Sequence, residues 1–482
     1  MATVSPHAKA AEQLLQLPKN FTPGKDFEET VELLKQGKSV SYDEVWGSSC
    51  ALLVSALAKH FPHILIVTSS LKVQDNTRDD FETFLDVPIQ RFPAMSLSLN
   101  EGVTVDQEYG DRLRMLKDLV AHKCSPVTIA SIQGLVQPVP SAESIIRFSK
   151  TVRIAEKLDV AEFSKWLLEN GFHQTTMVEL PGEFSTRGGI FDVFAPDWLQ
   201  PIRIELFDDE IETIRQFEIG SQRSVADLAE IEITVLAPDF NDGVHLADFL
   251  PEGTLVIQLE PGEIAEQARQ YLERSPLADK LFAWHQITQA LADRGLPMAT
   301  ASRLSTGRLE GHLAIGAEPI EDFSGDISEL RNELDRVADG QTVYVVSRVE
   351  GEVQRVFEIL SSTETAAKGR LRLSVGCVHA GFRLRASKLI VVGCDQLFKR
   401  GELRRSRSRR KLGKTIDSFL SLREGDLVVH LSHGIGRFRG LKMLDKEGQR
   451  SEHLEIEFHG GTRIFVPATK IDLVQKLSLI HI

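Results

Sequence analysis

Two hydrophobic periods alternate along this chain, and the switch between them limits what it can fold into. In residues 27–140, Phe27 to Gln36, Cys50 to His60 and Asp106 to His122 read as helices, while Ile64 to Val67 and Val127 to Ala130 are wholly apolar runs. Strands apolar on both faces, set between helices, imply a mostly parallel α/β sheet. A further helix runs from Asp159 to Asn170 and stops at Gly171, a residue suited to the left-handed C-terminal cap. The pattern then turns to period two, so that Ile202, Ile204 and Leu206 share one strand face and Arg203, Glu205 and Phe207 the other. An aromatic beside an arginine on a solvent face adds little to folding and has the composition of an interface hot spot. The other reading is that Phe207 folds back over the sheet edge and packs.

Residues 244–320 return to α/β alternation, with a strand from Gly253 to Gln258 and helices from Pro261 to Glu273 and Ala278 to Asp293. A small α/β unit follows at 321–398: a helix from Ile327 to Ala338, a strand from Thr342 to Ser347, a helix from Gly351 to Leu360 and a strand from Lys388 to Val392. Nothing in it reads as a catalytic site. Residues 399–418 form a basic linker too polar to pack a core. In the last domain, 419–476, a strand from Leu427 to Leu431 leads into His433-Gly434-Ile435-Gly436-Arg437-Phe438, where the glycines permit a sharp bend. Leu454 to Phe458 and Arg463 to Val466 flank His459-Gly460-Gly461-Thr462, a hairpin signature. The expected result is a small, strongly bent barrel of the SH3/Tudor-like kind.

At 482 residues the chain is too long for one core. No apolar run approaches the roughly 20 residues of a membrane helix, and Met1 to Gln16 lacks the order of a signal peptide. The four cysteines, Cys50, Cys124, Cys377 and Cys394, include no Cys-x-x-Cys pair, which argues against structural zinc and disulfides and fits a reducing cytoplasm. A net charge of −13 disfavours the body of the chain as a DNA binder. Lys399 to Lys414 breaks the pattern, with nine Lys or Arg against Glu402 alone. It contains no aromatics for base stacking, so it reads first as a linker and second as a weak, salt-sensitive contact to DNA phosphates.

Leu180-Pro-Gly-Glu-Phe-Ser-Thr-Arg-Gly-Gly-Ile-Phe-Asp-Val-Phe194 and Arg203 to Ile211 resemble the second domain of UvrB and, more specifically, of the transcription-repair coupling factor family. The resemblance extends over nearly the whole chain, laid on the family's N-terminal half. It implies a UvrB-like α/β domain (1–150 and 237–320) interrupted by a β-rich domain (151–236) that docks UvrA, with Arg187, Arg203 and Phe207 matching the family's contact residues. Gly425 to Gly440 and Phe465-Val-Pro-Ala468 resemble the CarD-like module, which implies that an edge strand pairs with the β subunit of RNA polymerase. Leu444, Arg437 and Phe438 are its candidate contacts, Leu444 having a core position as its other reading. His430 and His433 suggest packing and turn roles rather than a metal pair.

Where UvrB-like proteins place their phosphate-binding loop, this chain has Asp43-Glu-Val-Trp-Gly47-Ser48-Ser49-Cys50-Ala51. Cys50 and Ala51 stand where the lysine and the threonine should be, and Asp43 and Glu44 would repel a triphosphate. Gly413-Lys414-Thr415 lacks both the first glycine and a preceding strand. The chain is therefore expected to need no cofactor and to hydrolyse nothing, ATP and Mg²⁺ belonging to the family's translocase motor downstream. The expected molecule is a monomeric adaptor that recruits UvrA to stalled RNA polymerase. A UvrB-type ATPase and a motor-free CarD-like regulator are the alternatives. Leu477-Ser-Leu-Ile-His-Ile482 is what CTGTCTCTTATACACATC encodes, a transposon end used in sequencing libraries, so residues 477–482 are expected to be an assembly artefact.

Overall fold

Seven parallel strands form the largest sheet of the computed structural model, and they come from two separated stretches of chain. β1 (Val40–Asp43), β2 (Ile64–Thr68), β3 (Ile89–Phe92) and β4 (Val127–Ser131) precede a β-rich insertion. After β5 (Ser149–Arg153), that insertion holds β6 (His173–Gln174), β7 (Glu183–Arg187), β8 (Ile190–Phe194), β9 (Ile202–Phe207), β10 (Glu210–Phe217) and β11 (Ser224–Leu228), and β12 (Glu230–Thr234) leads out. β13 (Leu255–Leu259), β14 (Met298–Ala301) and β15 (Gly311–Ala314) then complete the parallel sheet in the order β15-β1-β14-β13-β2-β4-β3. The structure describes residues 17, 21, 26–95, 107–235, 243–305, 309–321, 323–326, 329–398, 414–415, 425, 427–430, 434–446, 449–458, 463–467 and 474–476. They fall into two units, Met1–Gly401 and Glu402–Ile482.

The insertion closes on itself. β5 and β12 pair antiparallel from Ser149↔Thr234 to Arg153↔Glu230, so chain entry and exit lie side by side. A second antiparallel bridge, Val139↔Val244, repeats the closure one step nearer the parallel sheet. Between them the six-stranded sheet β11-β10-β9-β8-β7-β6 packs one face, through Phe184, Phe191, Val193, Ile202, Ile204, Ile211 and Ile214, on the helix Val160–Glu169. That helix begins at Asp159, whose carboxylate accepts from the Ala161 and Glu162 amides.

One face of the parallel sheet shares a core with the small α/β domain through Tyr344, Val346, Val378 and Phe382. The other face is covered by the helices Gln107–Val120, Pro261–Arg274 and Trp284–Asp293. The small domain is a five-stranded mixed sheet in the order β16-β19-β20-β17-β18, built from β16 (Ala317–Pro319), β17 (Thr342–Ser347), β18 (Leu371–Val375), β19 (Phe382–Leu384) and β20 (Leu389–Gly393). In the second unit, β21 (Lys414–Thr415), β22 (Leu427–His430), β23 (Gly434–Lys446), β24 (Gln449–Phe458), β25 (Arg463–Pro467) and β26 (Val474–Lys476) form one antiparallel sheet in the order β21-β26-β22-β23-β24-β25.

Two expectations need correction, and one helix went unread. The helix expected from Ala278 to Asp293 is broken: a 3₁₀ turn at Ala278–Lys280 stops, Leu281 turns into the core, and the helix Trp284–Asp293 starts afresh. The Gln286 side chain accepts the Ala283 amide at 2.7 Å, which fixes the new start. The helix Leu71–Phe84, capped by Ser70, went unread because its buried stripe includes Gln74, Thr77 and Asp80, polar types that weaken the apolar signal. Gly436 does not bend the chain through positive φ. Gly436 is needed for space, since a Cβ there would lie 2.6 Å from Ile456 Cγ2. Of the tract 399–418, only Lys414 and Thr415 lie among the described residues, and 477–482 and His433 lie outside them.

His63 ties the near ends of three parallel strands, with Nδ1 3.0 Å from Thr254 Oγ1 and Nε2 3.0 Å from Thr128 Oγ1. The ring is fully buried, and that burial pulls its pKa down to about 4. Between pH 6.5 and 4 the unfolded chain therefore takes up a proton that the folded chain refuses, so stability falls as pH falls through that window. At pH 4 the loss reaches about 3 kcal/mol. Urea midpoints measured from pH 7 to 4 should decline less steeply for His63→Asn than for the natural chain, and equal slopes would remove His63 from the account.

Candidate docking surfaces

The outer face of the inserted sheet is assembled by register. Arg187 lies opposite Ile190, Asp192 opposite Arg203, Ile190 opposite Glu205, and Glu205 opposite Thr213. Cross-strand partners share a face, so Arg187, Arg203 and Phe207 stand together on the side turned away from the core. Phe207 is 73 % exposed at the end of β9, which rules out its folding back to pack. Exposed Ile190 extends the apolar part of this face toward Arg187. Arg187 is itself exposed, its Nη2 donating to the Thr176 carbonyl at 3.0 Å.

Arg203 is different. Its side chain is 23 % exposed and forms a two-pronged ion pair, Nε and Nη2 donating to the two Asp192 carboxylate oxygens at 2.8 Å each. Nη2 also donates to Gln222 Oε1 at 3.1 Å, and the guanidinium lies 4.7 Å over the Phe217 ring. The Asp192 hydrogen bonds hold the Arg203 pKa above the ordinary arginine value. Asp192 was missed in the sequence, although its place in the alternation of β8 puts it opposite Arg203. The sheet is fixed to the parallel domain by the helix Gln107–Val120. Arg114 Nε donates to the Asp197 carbonyl at 2.7 Å, and Lys117 Nζ reaches Asp197 Oδ2 at 2.7 Å and Glu232 Oε1 at 2.8 Å. Gly110 lets the Pro196 carbonyl approach so closely that a Cβ would sit 2.0 Å from it.

In the second unit β22 pairs with β23 only from Leu427↔Arg437 to His430↔Gly434. β24 accompanies β23 from Gly436 to Lys446, with a bulge between Phe438 and Gly440. Beyond Gly440, then, β23 hydrogen-bonds to β24 alone among the described residues and presents one free main-chain edge. Leu444 lies on that segment; its side chain is outside the described residues. Arg437 is exposed and donates to the Gly425 carbonyl at 2.9 Å. Phe438 is not a surface residue: it is 4 % exposed, opposite fully buried Ile456, because its place in the alternation turns it inward. Across β23, β24 and β25 the carboxylate of Glu455 is shared by Lys442 at 3.0 Å and Arg463 at 2.9 Å, fixing register.

The loop at Gly47–Ser49, expected to be a degenerate phosphate loop, is closed by backbone. Gly47–Ser49 forms a 3₁₀ turn ahead of the helix Cys50–Leu57, and the Ser48 amide donates to the Ala380 carbonyl at 2.9 Å. A Cβ on Gly47 would lie 2.2 Å from that oxygen. The donor a phosphate would use is thus taken by the small domain. Ser48, Ser49 and Cys50 are buried. Burial, followed by the negative charges of Asp80 and Glu260, pushes the Cys50 thiol up to about 12.

Residues 151–237 match the UvrB interaction domain, and residues 422–478 match the CarD-like/TRCF RID domain. The transcription-repair-coupling factor of Bacillus subtilis (strain 168) is 23 % identical over 94 % of this chain and 46 % of its own length. That of Staphylococcus aureus (strain bovine RF122 / ET3-1) is 26 % identical over 90 % of this chain and 45 % of its own length. The chain resembles the N-terminal part of a transcription-repair coupling factor. It spans just under half the length of these relatives.

Two residues of the inserted sheet should separate in a stability measurement. Phe207→Ala should change the urea unfolding free energy by no more than about 0.5 kcal/mol, since an exposed side chain loses little on truncation. Arg203→Ala should cost about 1–3 kcal/mol, because it leaves the half-buried Asp192 unpaired and Phe217 uncovered. Equal effects would show that the ion pair contributes nothing to the sheet.

Proposed function

We propose that this chain is the adaptor part of a transcription-repair coupling factor, with UvrA and RNA polymerase as its partners. The inserted sheet supplies the UvrA contact through Arg187, Arg203 and Phe207. The C-terminal strands curl into an SH3/Tudor-like barrel, and the free edge of β23 takes up a strand of the polymerase β subunit, with Leu444 giving register. Such strand addition draws affinity from main-chain hydrogen bonds and specificity from alternate side chains. The observation that carries the reading is Phe207. A large aromatic with 73 % of its surface in solvent, on the same strand face as an arginine anchored by Asp192, is an expense that folding does not require.

Chemistry is assigned to neither surface. ATP and Mg²⁺ are reserved for motor domains of the longer relatives, and any DNA contact through the basic tract at 399–414 is weak and salt-dependent. In this reading the parallel sheet is scaffold. Restoring the missing loop residues by Cys50→Lys plus Ala51→Thr should therefore not produce nucleotide binding, because both positions are buried and the Ala380 carbonyl keeps the Ser48 amide. Binding of a fluorescent ATP analogue to that double variant would overturn this part.

The adaptor assignment is tested by pull-down, each surface acting as the folding control for the other. Phe207→Ala should cut UvrA retention at least 30-fold, the effect of losing a hot spot of about 2 kcal/mol or more, and leave polymerase retention intact. Arg187→Ala should weaken UvrA alone. Leu444→Glu should weaken polymerase retention and leave UvrA retention intact. Undiminished UvrA capture by Phe207→Ala would defeat the proposal.

A further inference from the structure

Asp79 and Asp80 on the helix Leu71–Phe84 meet Cys377 and His379 on the loop between β18 and β19, almost 300 positions later in the chain. Cys377 Sγ lies 3.5 Å from His379 Nδ1 and 3.8 Å from Nε2, and Nε2 lies 3.8 Å from Asp79 Oδ2. One donor atom from each of Asp79, Cys377 and His379 falls within 4.8 Å of the others. Around tetrahedral Zn²⁺, with sulfur at about 2.3 Å and nitrogen and oxygen near 2.0–2.2 Å, neighbouring ligand atoms stand roughly 3.3–3.6 Å apart. The separations of His379 from Cys377 and from Asp79 need to close by only a few tenths of an ångström. We propose that Asp79, Cys377 and His379 form a binding site for a divalent transition-metal ion of the Zn²⁺ class, with the Arg348 guanidinium standing in the ion's place in the metal-free protein.

The surroundings are built for such an ion. His379 Nδ1 lies 3.1 Å from Asp80 Oδ1, and Arg348 Nη2 lies 2.8 Å from Nε2. Since the guanidinium can only donate, Nε2 accepts and Nδ1 carries the proton given to Asp80. This tautomer offers the Nε2 lone pair to a cation, and a carboxylate behind a histidine is the usual outer support of a metal ligand. The backbone is fixed as well: the Cys377 amide donates to Thr83 Oγ1 at 2.7 Å and the His379 amide to Asp80 Oδ1 at 2.9 Å.

Arg348 is the competitor. Its Nη1 is 3.5 Å from Asp79 Oδ2, and its Nε is 3.6 Å from Asp395 Oδ2, so Asp395 can keep the side chain when an ion displaces it. Arg78 Nη2 stays on the other Asp79 oxygen at 3.3 Å. The side chain of Arg348 is half exposed and leaves without repacking a core. Burial pushes the Cys377 thiol up to about 12, so an arriving ion forms the metal–sulfur bond as the thiol proton passes to solvent. The bound ion would rivet the small domain to the helix Leu71–Phe84 through the loop that carries Ala380. This inference does not depend on the partners proposed above.

The whole chain, stripped with EDTA, is titrated with CoCl₂ while absorbance is recorded. One equivalent should give a thiolate-to-Co²⁺ charge-transfer band in the near ultraviolet, removed by ZnSO₄. Cys377→Ser should abolish that band, and His379→Ala and Asp79→Asn should weaken binding at least tenfold. Asp80→Asn should weaken it about tenfold through the histidine. Arg348→Met should tighten binding at least threefold, which a merely structural arginine would not do. Circular dichroism melts confirm that each variant is folded, and Asp79→Asn is the mildest should Cys377→Ser prove unstable. Absence of the band from the natural chain, its survival in Cys377→Ser, or weaker binding by Arg348→Met overturns the proposal.

Discussion

The loop from Gly376 to Gly381 is the constraint on which the first unit turns. It is fastened at almost every residue: Gly376 fits against Thr83 where a Cβ would meet Cγ2 at 2.6 Å, and the Cys377 and His379 amides donate to Thr83 and Asp80. The Ala380 carbonyl accepts from Ser48, and the Gly381 amide donates to Gln396 Oε1 at 2.9 Å. A parallel sheet with a glycine turn at the end of its first strand is ordinarily an anion site, because free amides and the helix dipole point at the ligand. Here a carbonyl of the small domain has claimed the amide. The same contacts that occupy the Ser48 amide join the small domain to the parallel sheet in one continuous core.

That continuity matters because the candidate docking face is carried on an insertion. An inserted domain held only by its two connections would tumble, and its contact residues would have to be ordered again at each encounter. The β5–β12 ladder brings the connections together, and Lys117 and Arg114 grip Asp197 from the helix Gln107–Val120. Lys117 is held above the ordinary lysine value against the pull of its own burial, by Asp197 and Glu232. The clamp is therefore charged at neutral pH and pairs both carboxylates it approaches. Gly110 supplies the close approach that the clamp needs.

How much was legible in the sequence follows from which signals are local. Apolar runs such as Ile64 to Val67 and the alternation Ile202, Ile204, Leu206 report burial directly, so the strands they mark stand where periodicity puts them. Phe207 was legible as a solvent-face residue for the same reason, whereas Phe438 was taken for a contact although the alternation of its own strand turns it inward. The helix Leu71–Phe84 was hidden because its buried positions include Gln74, whose amide donates to the Phe92 and Ile129 carbonyls across the sheet edge. Such a residue reads as polar until its acceptors are known. The Asp79–Cys377–His379 cluster, the Arg203–Asp192 pair and the Ser48–Ala380 contact all depend on tertiary placement. Only the second had a local clue, in the register of β8 against β9.

The two candidate surfaces also differ in what sequence change they tolerate. A contact made by Phe207 and arginines is written in side chains, so one substitution removes it. The edge of β23 beyond Gly440 is written in main-chain groups, which every residue but proline supplies. Its demands are instead on shape: the bulge at Phe438 and Gly440, the latter at φ +122°, must end pairing with β22 while β24 continues alongside. The Glu455 carboxylate, pulled below its ordinary pKa by Lys442 and Arg463, holds β23 and β25 in step with β24 and keeps that edge in register. A surface of this kind survives drift at its outward positions as long as the ladder beneath it stays intact, and it fails through Gly436, where a side chain would strike Ile456, sooner than through any exposed residue.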